Sequence, residues 1–198
     1  MPRTHHVLPA LLIMLTAACG AEDTGATPGD PPSATRNAPS STAEAGSDHN
    51  GSDVEFVGGM IPHHEQAAVV AGLASERASS PEVKDLAERI ASANEAELDQ
   101  LLALPKLWGV EVTPGTANDD HDHSHLMSEE TFQRLEQSTG PDFDTLWLEN
   151  MIEHHEGAVE MAEAQLRDGK DPLASMYAQD IVDRQSKEID EMKALLGG

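Results

Sequence analysis

Apolar residues recur at intervals of three, four and seven positions along two stretches of the chain, 81–104 and 172–196. Because this spacing matches the 3.6 residues of a helical turn, both stretches are predicted to be helices with one buried face. Each opens with a capping side chain, Ser80 or Asp171, directly before a proline, which is typical of helix starts. No stretch shows the alternation of a half-buried strand, so the fold class is predicted to be all-α.

The chain contains an internal repeat. Shifting it by 91 positions superposes residues 53–102 on residues 144–193 without a gap, with 13 identities in 50 positions concentrated around a Met-Ile-X-His-His-Glu core. An ungapped duplication indicates that one supersecondary unit occurs twice. Each copy is predicted to be a first helix, N-capped by Asp53 or Asp144, followed by a second helix, so that two αα-hairpins form a four-helix bundle.

The two copies are not expected to be equivalent. Pro62 is predicted to kink or start the first helix beside the first histidine pair, whereas copy two has Glu153 at that position. Between the copies a short extra helix is predicted at 128–138, where Ser128 is a candidate cap and Gly140 a stop signal.

The first residues have the layout of a secretory signal, with Arg3 ahead of an apolar run at 7–15 and small residues after it. The Ala-Ala pair before the single cysteine, Cys19, resembles the lipobox of bacterial lipoproteins. We therefore predict that residues 1–18 are a signal peptide and that Cys19 becomes an N-terminus modified with acyl chains such as palmitate. A plain signal peptide is the alternative.

Residues 19–52 are predicted to be a disordered tether. From Gly20 onward, 24 of 33 residues are Gly, Ala, Ser, Thr or Pro and none is a large apolar residue, so the segment cannot bury enough surface to offset its conformational entropy. The folded bundle is then predicted at 53–198. It would be held by the lipid to a bacterial membrane, in the periplasm or on the outer face of the cell membrane.

Charge and cysteine content narrow the range of functions. The chain carries 36 acidic against 12 basic residues, a formal net charge of −24, and one cysteine. Nucleic acid is excluded as a partner because a strongly anionic chain repels phosphate. A single cysteine excludes both an internal disulfide framework and a Cys-based zinc site. The acidic surface is also expected to raise the local concentration of cations.

The first helix of each copy carries a methionine and two adjacent histidines within one stripe about 100° wide, so all are predicted to face the bundle interior. These residues are Met60, His63, His64, Met151, His154 and His155. A single interior histidine is most often hydrogen-bonded, and a core methionine most often only packs. Two histidine pairs on facing helices instead indicate a metal site, because four buried imidazoles are costly to satisfy by hydrogen bonds alone.

The residue types favour a soft metal. A ferritin-like di-iron or di-manganese site takes Glu-x-x-His from its helices, whereas both copies here have Met-x-x-His. A thioether in place of a carboxylate favours Cu(I), with Ag(I) as a chemical analogue. Copy two has one further thioether, Met161, where copy one has Val70. Zinc, held by histidines together with Glu65 or Glu156, is the alternative, as is another transition metal.

Four polar residues on the second helices bear on this site. Asn94 and Gln185 lie at matched inward positions and are candidates to hydrogen-bond the imidazoles, or else simple helix-boundary residues. Glu97 and Glu188, at the edge of the same face, are predicted to be solvated or capping residues rather than ligands.

A second metal-binding tract is predicted between the copies. His121, His123 and His125 stand among acidic neighbours and are followed by Met127, which makes a flexible segment able to wrap a transition metal. We interpret this tract as an outer capture or hand-off site. An accidental polar loop is the alternative.

The duplicated pattern Asp-x-x-Phe/Trp-x-x-x-Met-Ile-x-His-His-Glu-x-Ala resembles the DUF305 family of bacterial extracytoplasmic proteins, over residues 53–196. The resemblance implies a ferritin-like helical bundle and a link to periplasmic copper binding, with a copper exporter or oxidase as a candidate partner. It also implies a set of Cu(I) ligands, namely Met60, His63, His64, Met151, His154, His155 and Met161.

The leading hypothesis is a copper-binding lipoprotein that sequesters or ferries Cu(I) without catalysing a reaction. The second is a ferritin-like redox enzyme with a metal pair held in the bundle, and the missing Glu-x-x-His motif counts against it. The third is a structural lipoprotein whose bundle binds another protein, which the interior histidines disfavour.

Overall fold

Four long helices and two short ones make up the computed structural model, which describes residues 48–113 and 125–197. The helices are α1 (Gly51–Arg77), α2 (Pro81–Leu101), α3 (Leu104–Trp108), α4 (Glu129–Gln137), α5 (Pro141–Asp168) and α6 (Pro172–Gly197). No strand occurs in the two described ranges, so the predicted all-α class is confirmed. The predicted signal peptide, Cys19, the tether up to residue 47, His121 and His123 lie outside the described residues.

Two helical hairpins, α1 with α2 and α5 with α6, form the bundle. A three-residue connection joins the helices of each hairpin, at 78–80 and at 169–171. α1 also packs along α5, which brings the first helices of the two repeat copies together, while α2 and α6 touch more sparsely. The four-helix bundle predicted from the repeat is therefore the architecture found. None of the described helices combines the length and the apolar character that a membrane crossing requires.

Two short helices, rather than the one predicted, lie between the hairpins. α4 falls within the predicted stretch 128–138, and the hydroxyl of Ser128 caps it by accepting from the Thr131 N–H. α3 comes from the end of the predicted second helix, because α2 stops at Leu101 and the chain then forms one further turn. This turn places Trp108 in the core before the chain leaves it.

The predicted N-caps of the first helices are wrong by a few residues. Asn50 caps α1 and forms a capping box with Asp53, whereas α5 begins at Pro141, directly after Gly140. The helices start earlier because Asn50 is itself a strong capping residue and because proline is already set for a first helical turn. Asp53 and Asp144 therefore lie inside the first turns of their helices.

Each of these two aspartates binds the other repeat copy. Asp53 is fully buried and accepts hydrogen bonds from the backbone N–H groups of Lys170 and Asp171, at 3.1 Å each. Asp144 in turn accepts from the backbone N–H groups of residues 79 and 80, at 3.0 and 2.9 Å. Both N–H pairs lie directly before a second helix, at matched positions of the repeat. These reciprocal contacts join the two hairpins.

The apolar interior divides into two clusters. One contains the fully buried Trp147 and includes Met151, and the other contains Trp108 and includes Met60. The two methionines that precede the histidine pairs therefore lie buried in different parts of the core.

Candidate metal centre

The stripe predicted on the first helices is buried in full. Met60 and Met151 have no exposed surface, and the four histidines of the stripe are at most 1% exposed. Pro62 lies inside α1, so this proline does not start the helix beside His63. The six residues of the two stripes therefore share the bundle interior.

The histidines meet where the two copies pack together. The rings of His63 and His154 lie with their centroids 3.6 Å apart and their planes 30° apart. Neither ring nitrogen of these two residues has a hydrogen-bond partner, and the same is true of Nδ1 in His64 and in His155. Six buried imidazole nitrogens are therefore unpartnered in the contact between α1 and α5.

Such a group of polar atoms is costly in a protein interior. Each buried donor or acceptor left unsatisfied costs about 1–3 kcal/mol. Apolar side chains at the same positions would avoid this cost, so stability does not explain the histidines. The unpartnered nitrogens are chemically able to bind a transition metal, because imidazole nitrogen is the commonest protein ligand of such metals.

Burial keeps His63 and His154 neutral. Burial lowers the pKa of His63 well below its ordinary value, and the neighbouring His154 and His64 lower it further. Burial, followed by the neighbouring histidines, lowers the pKa of His154 to about 3. Neutral imidazole is the form that binds a metal, so these rings have no proton to release at pH 7 before they bind one.

In each copy, a glutamate on the second helix orients the second histidine of the pair. Nε2 of His64 lies 2.8 Å from Oε2 of Glu97, and Nε2 of His155 lies 3.0 Å from Oε2 of Glu188. Because an ionised carboxylate only accepts hydrogen bonds, each Nε2 carries a proton, and Nδ1 is the nitrogen left to bind a metal. Carboxylate–histidine pairs of this kind fix the ring and strengthen it as a metal ligand.

The prediction that Glu97 and Glu188 are solvated or capping residues is therefore wrong. Burial acts to raise the pKa of both carboxyl groups, but hydrogen bonds from histidine and from Arg184 outweigh it and lower the pKa of each. The repeat contained a signal for this role, since glutamate occurs at this position in both copies.

The amides predicted as imidazole partners do not fill that role in the described structure. Asn94 donates instead to the carbonyl of Ile90 in its own helix. Its side-chain oxygen, like that of Gln185, is buried without a hydrogen-bond partner.

Arg184 joins the two carboxylates, and nothing in the sequence pattern predicted it. Its Nε donates to Oε1 of Glu97 at 2.9 Å, its Nη2 to Oε2 of Glu97, and its Nη1 to both oxygens of Glu188 at 3.1 and 2.9 Å. Burial acts to lower the pKa of Arg184, but the two carboxylates outweigh it and raise the pKa. The repeat gives no signal because the equivalent residue of copy one is Ala93.

The thioether of Met161 lies close to the first copy at Gly59. A Cβ added at Gly59 would lie 3.2 Å from Sδ of Met161, so the absence of a side chain there admits the thioether to α1. A cavity of about 330 Å³ opens at this contact, and its lining includes His125 and Glu160. Val70, the equivalent of Met161, is instead fully buried in the Trp147 cluster.

The end of the histidine tract contacts both copies at equivalent positions. The Gln66 amide donates to the Met127 carbonyl at 3.0 Å and accepts from the Met127 N–H at 2.7 Å. At the matching position of copy two, Gly157 leaves room for His125, whose Cβ would lie 2.2 Å from an added Cβ. Both positions come three residues after the first histidine of a pair, so the tract rejoins the bundle within one helical turn of those histidines.

Nitrogen and oxygen donors alone do not make a metal site here. Among residues 48–113 and 125–197, no three His, Cys, Asp or Glu side chains converge so as to hold a metal ion. Glu65 and Glu156, the predicted carboxylate partners for zinc, are exposed, and Glu156 pairs with Lys193 on the surface. Imidazole together with thioether is a donor set that suits Cu(I) better than zinc.

The chain is similar to proteins of one family. The family model DUF305, described as a domain of unknown function, matches residues 53–196. A DUF305 protein of Streptomyces coelicolor, described as secreted, has the same fold, with 24% identity and a TM-score of 0.69 over 74% of this chain and 91% of that chain. A DUF305 fragment from Deinococcus radiodurans gives 28% identity and a TM-score of 0.67 over 75% of this chain and 97% of that chain.

A copper-bound structure is also similar. CopM in its Cu(I)-bound form shares 29% identity with this chain, with a TM-score of 0.62 over 72% of this chain and 94% of that chain. No match to a curated protein was found.

Proposed function

This chain belongs to the DUF305 family, and we propose that it is a copper-binding protein that sequesters or ferries Cu(I) outside the cytoplasm. One observation carries the proposal. Six buried imidazole nitrogens lie unpartnered in the contact between the two repeat copies, and a fully buried thioether precedes each histidine pair by three residues. Imidazole and thioether are ligands that suit Cu(I).

The ligands we propose come from both copies. They are Met60, His63 and His64 of α1, and Met151, His154, His155 and Met161 of α5. His64 and His155 would bind through Nδ1, because their Nε2 atoms donate to glutamates. Copper is cargo in this proposal, and the residues hold it without a reaction.

The structures of CopM support copper as the metal. That protein has been solved with Cu(II), with Cu(I) and with silver bound. Silver is a chemical analogue of Cu(I), so the Cu(I) and silver forms match the soft donor set found in this chain.

The proposed location follows from the N-terminal sequence. Residues 1–18 would direct export, and Cys19 would carry the lipid that anchors the protein to the membrane. A flexible tether over 19–47 would then hold the bundle, which begins at the Asn50 cap of α1 rather than at residue 53, off the surface by roughly 30 Å. Methionine and histidine suit this compartment because, unlike cysteine, they do not form disulfides there.

We further propose that the tract of His121, His123, His125 and Met127 captures copper or hands it on. This proposal is supported by the contacts of residues 125–127 with the bundle. Gln66 hydrogen-bonds the backbone of Met127, and Gly157 leaves room for His125. A copper exporter or a copper oxidase is the partner class to which such cargo would pass.

Anaerobic Cu(I) titration of the protein against a competing chelator tests the proposal. Alanine at His63, His64, His154 and His155 together is expected to abolish tight binding. His49→Ala is the control, because His49 stacks on Trp108 rather than joining the centre. Unchanged affinity in the folded quadruple variant would overturn the proposal. Iron or manganese in the purified protein together with oxygen consumption would favour the redox enzyme, and no bound metal at all would favour a purely structural protein.

A further inference from the structure

The bundle interior holds two carboxylates that a metal centre would ordinarily use. In di-iron and di-manganese bundles, glutamates that project inward from the helices bind the metal pair. Here Glu97 and Glu188 stand at matched positions of α2 and α6, each within 3.0 Å of an imidazole that we propose as a ligand. Carboxylate oxygen favours hard cations such as Mn²⁺, so the availability of these oxygens affects which metal can bind.

Arg184 engages every oxygen of the two carboxylates. Both oxygens of Glu97 and both oxygens of Glu188 accept an N–H from its guanidinium. The Oε2 atom of each glutamate also accepts from an imidazole. The three side chains are at most 25% exposed, so solvent screens these contacts only in part. Guanidinium–carboxylate pairs with several parallel hydrogen bonds are among the strongest ion pairs in proteins.

We infer that Arg184 sets the metal selectivity of the centre by holding Glu97 and Glu188 away from the metal, which leaves imidazole and thioether as the donors. The inference rests on the proposed function. Arg184 is a positioning residue, since its hydrogen bonds go to the two glutamates and to none of the proposed ligands. One guanidinium serves both copies, because copy one has Ala93 at the equivalent position.

Removal of the guanidinium should change the chemistry of the centre. Two largely buried carboxylates would then stand beside the imidazoles without a counter-charge, which is unfavourable in an interior. A divalent cation that prefers oxygen would supply that charge. Arg184→Gln is therefore expected to open the centre to Mn²⁺.

Mn²⁺ titration followed by the electron paramagnetic resonance signal of the free ion tests this inference. Arg184→Gln is expected to bind Mn²⁺ at least about tenfold more tightly than the parent protein, within the range of effects seen when groups behind metal ligands are changed. Its Cu(I) affinity, measured by chelator competition, is expected to be equal or lower.

The chain offers a matched control at Arg89. This arginine also joins α2 to α6, through an exposed ion pair with Glu191 at 2.6 Å, and Arg89→Gln changes the net charge by the same amount. Its Mn²⁺ affinity should equal that of the parent protein, which separates the local effect of Arg184 from the general attraction of an acidic surface for cations.

Two further variants complete the test. Arg184→Gln combined with Glu97→Gln and Glu188→Gln removes the carboxylates as well and is expected to return Mn²⁺ binding to the parent level. If circular dichroism shows that Arg184→Gln alone does not fold, Arg184→Lys takes its place and is expected to give a smaller gain, because one ammonium cannot reach all four oxygens.

A folded Arg184 variant whose Mn²⁺ affinity stays within about twofold of the parent value, or a triple variant that keeps the gain, would overturn the inference. Failure of the parent protein to bind Cu(I) would instead overturn the proposed function. The Mn²⁺ affinities are measured without Cu(I), so failure of the inference can be distinguished from failure of the proposed function.

Discussion

The two repeat copies carry the same histidine pair but surround it with different residues. In each copy the second histidine of the pair donates to a glutamate 33 positions later in the chain. Beyond that shared unit the copies diverge. Copy two alone supplies a guanidinium, at Arg184, and a further thioether, at Met161.

Copy one provides complementary features. Gly59 gives Met161 the space to approach α1, and Gln66 holds the end of the histidine tract. The contact between His63 and His154 then joins the two copies directly. The two copies therefore surround one shared group of histidines with different residues, rather than forming two independent half-sites.

The largest expected effect is the loss of apoprotein stability in acid. The unfolded chain takes up protons on histidine at the ordinary pKa of 6.5, whereas folded His154 does so only at about 3. The unfolded state therefore binds more protons between these values, and stability that is complete above pH 6.5 is lost as the pH falls. The free energy of unfolding should drop by about 1.4 kcal/mol per pH unit for each histidine that stays neutral in the fold.

Chemical denaturation of the apoprotein between pH 6.5 and 4.5 measures this slope. Glu97 and Glu188 add to it only below their ordinary pKa of 4.5. If the centre is shared equally, His63→Leu and His154→Leu should each flatten the slope to a similar degree. A slope that responds to only one of the two would show that the copies act separately.

The two aspartates that join the hairpins differ in burial, so replacing them should cost different amounts of stability. Burial acts to raise the pKa of Asp53, but hydrogen bonds from Gln165 and from backbone N–H groups outweigh it and hold the pKa low. Asp53→Asn should lower the free energy of unfolding by about 2–3 kcal/mol, because buried donors lose an ionised acceptor. Asp144→Asn should cost only about 1 kcal/mol, since its hydrogen bonds lie nearer to solvent. Denaturation followed by circular dichroism measures both, and equal losses would contradict the difference in burial.

The unmatched thioether is expected to affect copper affinity rather than the stability of the fold. Met161→Val makes copy two resemble copy one and should weaken Cu(I) binding by about tenfold, or about 1.4 kcal/mol. Val70→Met is the reciprocal variant and should bring no gain, because Val70 is enclosed in the apolar cluster with Trp147. Competition titrations with a Cu(I) chelator measure both affinities. A gain from Val70→Met as large as the loss from Met161→Val would mean that the copies are interchangeable.

Sequence periodicity predicted the parts of this molecule that depend on local pattern. The second helices, the buried stripe of Met60 and His63, and the pairing of hairpins all follow from apolar spacing and from the repeat. The boundaries of the first helices did not follow, because Asn50 and Pro141 compete with the aspartates as starting residues.

Contacts between helices were beyond the reach of periodicity. Glu97 lies at the edge of an apolar face, where glutamate is usually solvated, and only the approach of His64 from α1 changes its role. Arg184 has no counterpart in copy one, so neither repeat nor spacing marked it. These residues act through neighbours that are distant in sequence, and their roles emerge only once the bundle has formed.

We propose that the contact between His63 and His154 lowers the stability of the apoprotein and in return provides a copper site. Unfolding of the parent protein and of the His63→Leu/His154→Leu variant, each with and without Cu(I) under anaerobic conditions, tests it most directly. Without copper, the variant should be more stable than the parent protein by about 1–3 kcal/mol, because unpartnered buried nitrogens are gone. Added Cu(I) should stabilise the parent protein but not the variant, since only a folded centre binds the ion. A variant that is less stable than the parent protein and is still stabilised by Cu(I) would contradict the claim.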